Sequence, residues 1–124
     1  MNDHKQNISE LFGTVKNYFS PKIIAEVNDV FIKIAKVKGN DIPWHKHLNE
    51  DELFYVLEGN LKIKIMDGDE IELKHGELFV VKKGVEHRIQ ANDECRIMLI
   101  ENKSTEHTGD VKTDITKTID EQFY

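Results

Sequence analysis

The stretch IPWHKHLNEDELFYVLEG, residues 42–59, sets His45 and His47 two positions apart, follows them with Glu50, Asp51 and Glu52, and closes an apolar run at Gly59. Imidazole nitrogens and a carboxylate oxygen are donors of borderline hardness. Brought to one point they make a site for Fe, Mn, Ni, Co, Cu or Zn, with water in any remaining position. No thiolate accompanies them, which disfavours Cu(I). On a helix, residues two apart point about 200° from one another, whereas on a strand they share a face. His45 and His47 therefore converge only in an extended segment. Glu52 lies an odd five residues beyond His47, so a turn must intervene before it can join them, and LNED supplies one. Asp51 and Glu50 compete for the same carboxylate role. His87 follows the KKGVE turn and offers a third imidazole from a later strand. The plainer alternative is a polar hairpin rim.

The elements that must position these groups read as β-structure. From Lys22 to about Asn102, short segments are punctuated by turn residues: KIIAEV, VFIKIAKV, ELFYVLEG, LKIKIM, EIELKH, ELFVV, HRIQA and CRIMLI. Leu61, Ile63 and Ile65 share one face against Lys62 and Lys64, and Ile71 and Leu73 do so against Glu70 and Glu72. Asp67-Gly68 between them predicts a two-residue hairpin turn of type I′, with positive φ at both positions. About eight such strands predict a sandwich or barrel. Ahead of them, Ile8, Leu11, Phe12, Val15 and Phe19 fall on one helical face, with Asn7 or Ser9 as cap and Ser20-Pro21 as the stop. The organisation expected is a helix and lead-in over residues 1–21, a barrel over 22–102, and a polar tail over 103–124. The tail packs over the barrel, packs on a neighbouring subunit, or is mobile.

The formal charge of -6 and the scatter of the lysines among acids argue against a nucleic-acid partner or an anionic membrane. The longest apolar run is the five residues Leu53–Leu57, and MNDHKQNISE carries no apolar h-region, so neither a membrane span nor a signal peptide is expected. Cys95 is the only cysteine, which excludes an intrachain disulfide framework and leads us to expect a cytoplasmic protein.

The segment Gly39-x5-His45-x-His47-x4-Glu52-x6-Gly59 resembles the first motif of the cupins in every fixed position, and Gly76-x5-Lys82-x-Gly84-x2-His87-x3-Ala91 resembles the second. The second departs at Lys82, where the family has proline, and at Ala91, where it has asparagine; neither position is a ligand in the family. The resemblance covers roughly Lys22 to Asn102. It implies an all-β fold, the double-stranded β-helix or jelly-roll β-barrel, here with one N-terminal α-helix. It also implies a divalent transition metal held by His45, His47, Glu52 and His87, the six-residue gap to Gly59 selecting Glu52. The likeness is greatest to short single-domain bacterial cupins, which are commonly homodimers. The family spans dioxygenases, isomerases, epimerases, lyases, decarboxylases and binding modules, so the barrel does not settle the reaction.

By strand parity the cavity walls are apolar: Phe54, Val56, Ile63 and Ile89. No second general acid or base faces inward unless Lys33, Arg96 or a tail residue enters, and Tyr55 has the wrong parity. This favours chemistry carried by the metal, on a small chelating molecule such as a keto acid, an enol or a sugar acid. The alternative is a non-catalytic, metal-containing module that binds or senses a small molecule. His75 reads as a structural histidine on the face of Ile71 and Leu73. His4 and His107 read as solvent groups, unless the tail folds over the barrel mouth and brings His107 near the ion. Cys95 shares a face with Ile97 and Leu99 as a buried hydrophobe would. Trp44 points away from the ligands, and Lys82, Lys83 and Arg88 read as a solvated turn.

Overall fold

The structure, a computed structural model, describes residues 4–113 and 115–123. Residues 1–3, 114 and 124, parts of the expected lead-in and tail, lie outside the described residues.

Seven strands follow a short N-terminal helix: α1 Ile8–Leu11, β1 Lys22–Val27, β2 Val30–Gly39, β3 Glu52–Glu58, β4 Leu61–Ile65, β5 Glu70–Leu73, β6 Leu78–Val81 and β7 His87–Asn102, with α2 Ile119–Gln122 near the end. All strand pairs are antiparallel. One sheet runs β1-β2-β7-β3-β6; the N-terminal end of β7 pairs instead with β4, which pairs with β5. One strand thus belongs to both sheets.

Two expected strands, HRIQA and CRIMLI, are this single strand of 16 residues. The polar residues Asn92, Asp93 and Glu94 between them stay exposed while the pairing with β2 jumps from Val37↔Cys95 to Gly39↔Ala91. The bulge bends β7 without ending it, so its two halves serve different sheets.

Alternation is read correctly where one face is wet. Phe54 and Val56 are buried between half-buried Leu53, Tyr55 and Leu57, and Leu61 and Ile63 are buried beside half-buried Lys62 and Lys64. The β4–β5 hairpin forms, but as a three-residue loop closed by Ile65 N–H to Asp69 C=O at 3.1 Å. Only Asp67 has positive φ there (54°), not Gly68. His75 is exposed, against expectation. β5 ends at Leu73, and Glu77 N–H bonds Lys74 C=O at 2.9 Å, which leaves His75 on the tip of a turn.

The N-terminal helix is shorter than its apolar spacing suggests. Asn7 caps α1 by accepting from Glu10 N–H, one turn of 3₁₀ helix follows over Phe12–Thr14, and Val15 is already extended. Gly13 and the β-branched pair Thr14 and Val15 are poor helix formers. Burial decides the rest. Phe12 and Val15 cover Ile24 and Ile34 on the outer face of the sheet, while Phe19 turns through φ 54° into the barrel core. That core is built from Ala35, Val37, Phe54, Val56, Leu61, Ile63, Ile97 and their neighbours. Cys95 lies within it, fully buried, and burial pushes its thiol up to about 12, which keeps it unreactive.

The described part of the tail lies on its own barrel. Thr105, Thr108 and Gln122 are buried, Phe123 meets Phe31 edge-on at 5.7 Å, and a capping box between Thr118 and Glu121 starts α2. No helix among the described residues is long and apolar enough to cross a membrane.

Candidate metal centre

Backbone pairing brings the two halves of the site together. The N–H groups of His45 and His87 each donate to the other's carbonyl, at 3.0 and 2.8 Å, and the Gly84 N–H donates to His47 C=O at 2.7 Å. The KKGVE turn is thereby stitched to the first histidine segment. Glu52 opens β3 after the LNED turn, in register with Val81 on one side and Glu101 on the other. Gly59 closes β3 with φ 94°, and a Cβ there would stand 2.9 Å from Glu94 O. Only glycine fits that approach.

His45, His47, Glu52 and His87 are all buried, and each offers one donor atom within 4.8 Å of the others. His47 Nε2 stands 3.5 Å from Glu52 Oε2, and His87 Nε2 stands 3.3 Å from Glu52 Oε1. Two donors sharing an ion at about 2.1 Å each are separated by roughly 3.0–4.2 Å, so these spacings suit a common cation.

The hydrogen bonds around the rings fit as well. Nδ1 of His45 donates to Pro43 C=O and Nδ1 of His87 to Val85 C=O, both at 2.9 Å. This is how metal-binding histidines are usually oriented. Neutral rings held so have a lone pair, not a proton, on Nε2. His87 Nε2 faces Glu52 Oε1 at 3.3 Å, a spacing that a cation shared between them also satisfies. His47 Nε2 is buried with no hydrogen-bond partner among the described residues. A buried orphan of this kind is costly unless something binds it.

The electrostatics divide the four. Burial lowers the His45 pKa to about 4, so it is neutral and ready to bind. Burial acts the same way on His47, but the Glu52 carboxylate outweighs it and raises the pKa. Burial likewise opposes ionisation of Glu52, yet His47 and His87, followed by Glu101, hold it well below the usual carboxylate range. A metal ion taken up at this site would have to displace a proton from His47 whenever the pH is below that raised value. We expect affinity for Co(II) to fall about tenfold per pH unit on the acid side of it. Titrations between pH 5 and 8 check this, and a flat profile contradicts it.

Beside the ligands lies an apolar cavity, walled by Phe54, Ile89, Ile97 and Leu99 and reached by His45, Glu52 and His107. Its volume is about 30 Å³. That holds two or three waters, or a group of similar size.

Three further polar residues stand near the site: Glu101, which the sequence reading did not single out, and Lys33 and His107, which it left open as residues that could enter. Lys33 is fully buried, its ammonium 2.6 Å from Glu101 Oε1 and bonded to the Gln122 amide oxygen. Glu101, also buried, stands beside Glu52; burial first, then the Glu52 charge, push its pKa well up. Its signal was available, because Cys95, Ile97, Leu99 and Glu101 alternate on one face of β7. Lys33 alternates with Phe31, Ala35 and Val37, but its strand is apolar on both faces, so parity alone does not assign it. His107 carried no local signal. Arg96 stays outside, over the Phe12 ring and beside Glu58 and Glu94. Asp51 is exposed, accepting from Lys83 N–H and pairing with Lys82, and Arg88 donates to the Ile42 and Asn40 carbonyls. Trp44 is half-buried.

The sequence profile of the cupin domain matches residues 34–101. The chain belongs to the cupin family. This cupin is 34% identical over 101 residues to YdbB, an uncharacterized protein of Bacillus subtilis, covering 82% of this chain and 88% of that one. It is 27% identical over 123 residues to the putative dioxygenase SSO1533 of Saccharolobus solfataricus; the match covers 98% of this cupin but 32% of the relative, so this chain spans about a third of it. Among solved structures, a cupin-2 domain containing protein from Shewanella frigidimarina superposes with a TM-score of 0.75 at 43% identity, covering 78% and 93% of the two chains. Protein NMB1881 from Neisseria meningitidis superposes with a TM-score of 0.72 at 28% identity, covering 80% and 99%. The double-stranded β-barrel expected from the motifs is the fold observed.

Proposed function

We propose that this cupin is a metal-dependent enzyme acting on a small chelating molecule, a keto acid, an enol or a sugar acid, with His45, His47, Glu52 and His87 holding the ion. The observation that carries the reading is a buried 3-His, 1-Glu donor set, two of whose members, His45 and Glu52, line a cavity. A purely structural metal needs no such space. A divalent transition ion bound there supplies Lewis-acid polarisation or dioxygen activation, the basis of isomerase-type or dioxygenase chemistry. The chain's own residues do the rest. Phe54, Ile89, Ile97 and Leu99 keep water from the reacting group, and His45 and His87 are locked in orientation through Pro43 and Val85. Glu101, paired with Lys33, is a carboxyl able to hold a proton beside Glu52. The likeness to a putative dioxygenase over nearly the whole chain supports the oxidative branch.

The narrowness of the cavity favours a second reading, a non-catalytic module that binds or senses a metabolite at the same ion. Elemental analysis separates these from a metal-free barrel: protein purified without added metal or chelator is compared with His47→Ala. Near-stoichiometric Fe, Mn, Ni, Co, Cu or Zn that is lost in the variant is the expected result. Oxygen uptake and solvent-deuterium exchange with small keto acids then distinguish enzyme from module. A wild type that holds no metal and takes none up on titration ends both metal readings.

A further inference from the structure

The C-terminal segment is laid directly on the ligand strand. Asp110 N–H donates to Lys46 C=O and Lys46 N–H to Asp110 Oδ1, both at 3.1 Å. Gly109 crosses His45 so closely, at φ 57°, that a Cβ there would run into the Lys46 carbonyl and stand 2.9 Å from His45 Cδ2. Farther on, Gln122 reaches down to the buried Lys33 ammonium. These ties place the His107 ring in the cavity wall with His45 and Glu52. Lys117 N–H donates to His107 Nδ1 at 2.8 Å, so in the neutral ring the proton sits on Nε2. Burial, with Lys33 adding to it, lowers the His107 pKa to about 4 and keeps the ring neutral. The segment is held mainly by polar contacts, with Ile115 and Phe123 as its few apolar anchors. Segments of that kind open at less cost than the barrel beneath them.

The charge inside the site favours one class of ligand. With a divalent ion bound, two positive charges and Lys33 face Glu52 and at most one further negative charge on Glu101. The balance is a net positive charge in a poorly solvated space, which a small monoanion offsets.

We propose that His107 is a ligand-contacting residue that donates a hydrogen bond to a small anion bound beside the metal position, and that the tail from Thr105 to Val111, anchored by Gln122, is the lid that carries it there. This rests on the metal-dependent reading above.

The test uses the full chain loaded with Co(II) and titrated with azide, a monoanion small enough for the cavity, followed through the cobalt absorption bands. Wild type, His107→Ala, His107→Gln and Gly109→Ala are compared after circular dichroism shows each barrel folded. Azide is expected to shift the wild-type spectrum. In His107→Ala its dissociation constant rises about tenfold, the size of one hydrogen bond to a charged group, while cobalt still binds one per chain. His107→Gln, which keeps an N–H donor, recovers most of the affinity. Gly109→Ala, forced off Lys46, weakens azide as His107→Ala does and speeds cobalt removal by EDTA about fivefold or more. Cobalt uptake with no azide response, an equal azide affinity in His107→Ala, no rescue by glutamine, or an unchanged EDTA rate in Gly109→Ala overturns the inference alone. A wild type that takes up no cobalt overturns it together with the metal reading.

Discussion

Replacing Glu52 by glutamine is expected to reduce bound metal from near one ion per chain to below about one tenth, with the barrel still folded. The amide has almost the shape of the carboxylate, so the cavity and the β3 register with Val81 and Glu101 are kept. What is lost is the one carboxylate of the donor set, held ionised by His47 and His87 despite its burial. An amide oxygen is a poor donor to a transition ion. Three imidazoles without a carboxylate also leave a divalent charge uncompensated in an apolar wall. Losing even a partner of a ligand typically costs 10–100-fold in affinity; losing the ligand itself should cost at least roughly 100-fold. A second effect follows. The pKa of His47 is raised by Glu52 against the burial, so in Glu52→Gln it should fall, a change visible by NMR titration of the metal-free protein. Elemental analysis and cobalt calorimetry test the first claim. Wild-type metal content in this variant would mean that Glu52 is not a ligand.

The second large effect belongs to Lys33. Its ammonium is fully buried between Glu101 and Gln122. Lys33→Ala removes the only cation paired with the buried Glu101 among the described residues, and breaking such a pair costs about 3–5 kcal/mol. For a chain of this size that lowers the midpoint of thermal unfolding by roughly 10–20 °C. The cost depends on pH. Burial and the neighbouring Glu52 raise the Glu101 pKa, and removing Lys33 raises it further. Between the ordinary carboxyl value and that raised value the folded protein holds a proton that the unfolded chain has released, so stability falls as pH rises. Urea denaturation should therefore show a larger penalty at pH 8 than at pH 5. Lys33→Met combined with Glu101→Leu removes both charges and should return to within about 2 kcal/mol of wild type. A double variant as unstable as the single one, or a penalty that shrinks with pH, contradicts this account.

The same two residues show where parity reasoning runs out. Alternation is informative when one face is wet and the other dry, as in LKIKI and EIEL. β2 is covered on both faces, by the barrel core inside and by Phe12 and Val15 outside, so Ile32, Lys33, Ile34 and Ala35 carry no contrast from which to assign Lys33 to the interior. Glu101 did share parity with Cys95, Ile97 and Leu99, but a glutamate at the end of a strand reads as an edge charge until a partner is seen. The helical spacing from Ile8 to Phe19 lists the anchors correctly and the helix it predicts is present, but it is short, ending at Leu11 with one 3₁₀ turn to Thr14. Phe12, Val15 and Phe19 each find an apolar site, and Gly13, Thr14 and Val15 give the chain little reason to stay helical between them.

What the sequence determined by itself is the barrel and, through the resemblance of two spaced motifs to the cupins, a candidate set of four donors, which the fold brings within 4.8 Å of one another. Those rest on local spacing: two histidines of equal parity, a turn before Glu52, glycines where φ is positive or another strand passes close, and a third histidine after a second turn. Tertiary structure alone decided what surrounds the donors. The burial of Lys33 against Glu101, the two faces of β2, the bulge that lets β7 serve two sheets, and the path of the tail that lays His107 beside Glu52 are contacts between residues far apart in the chain. Their energies depend on which surfaces are left to cover once the barrel exists, and no local pattern encodes that.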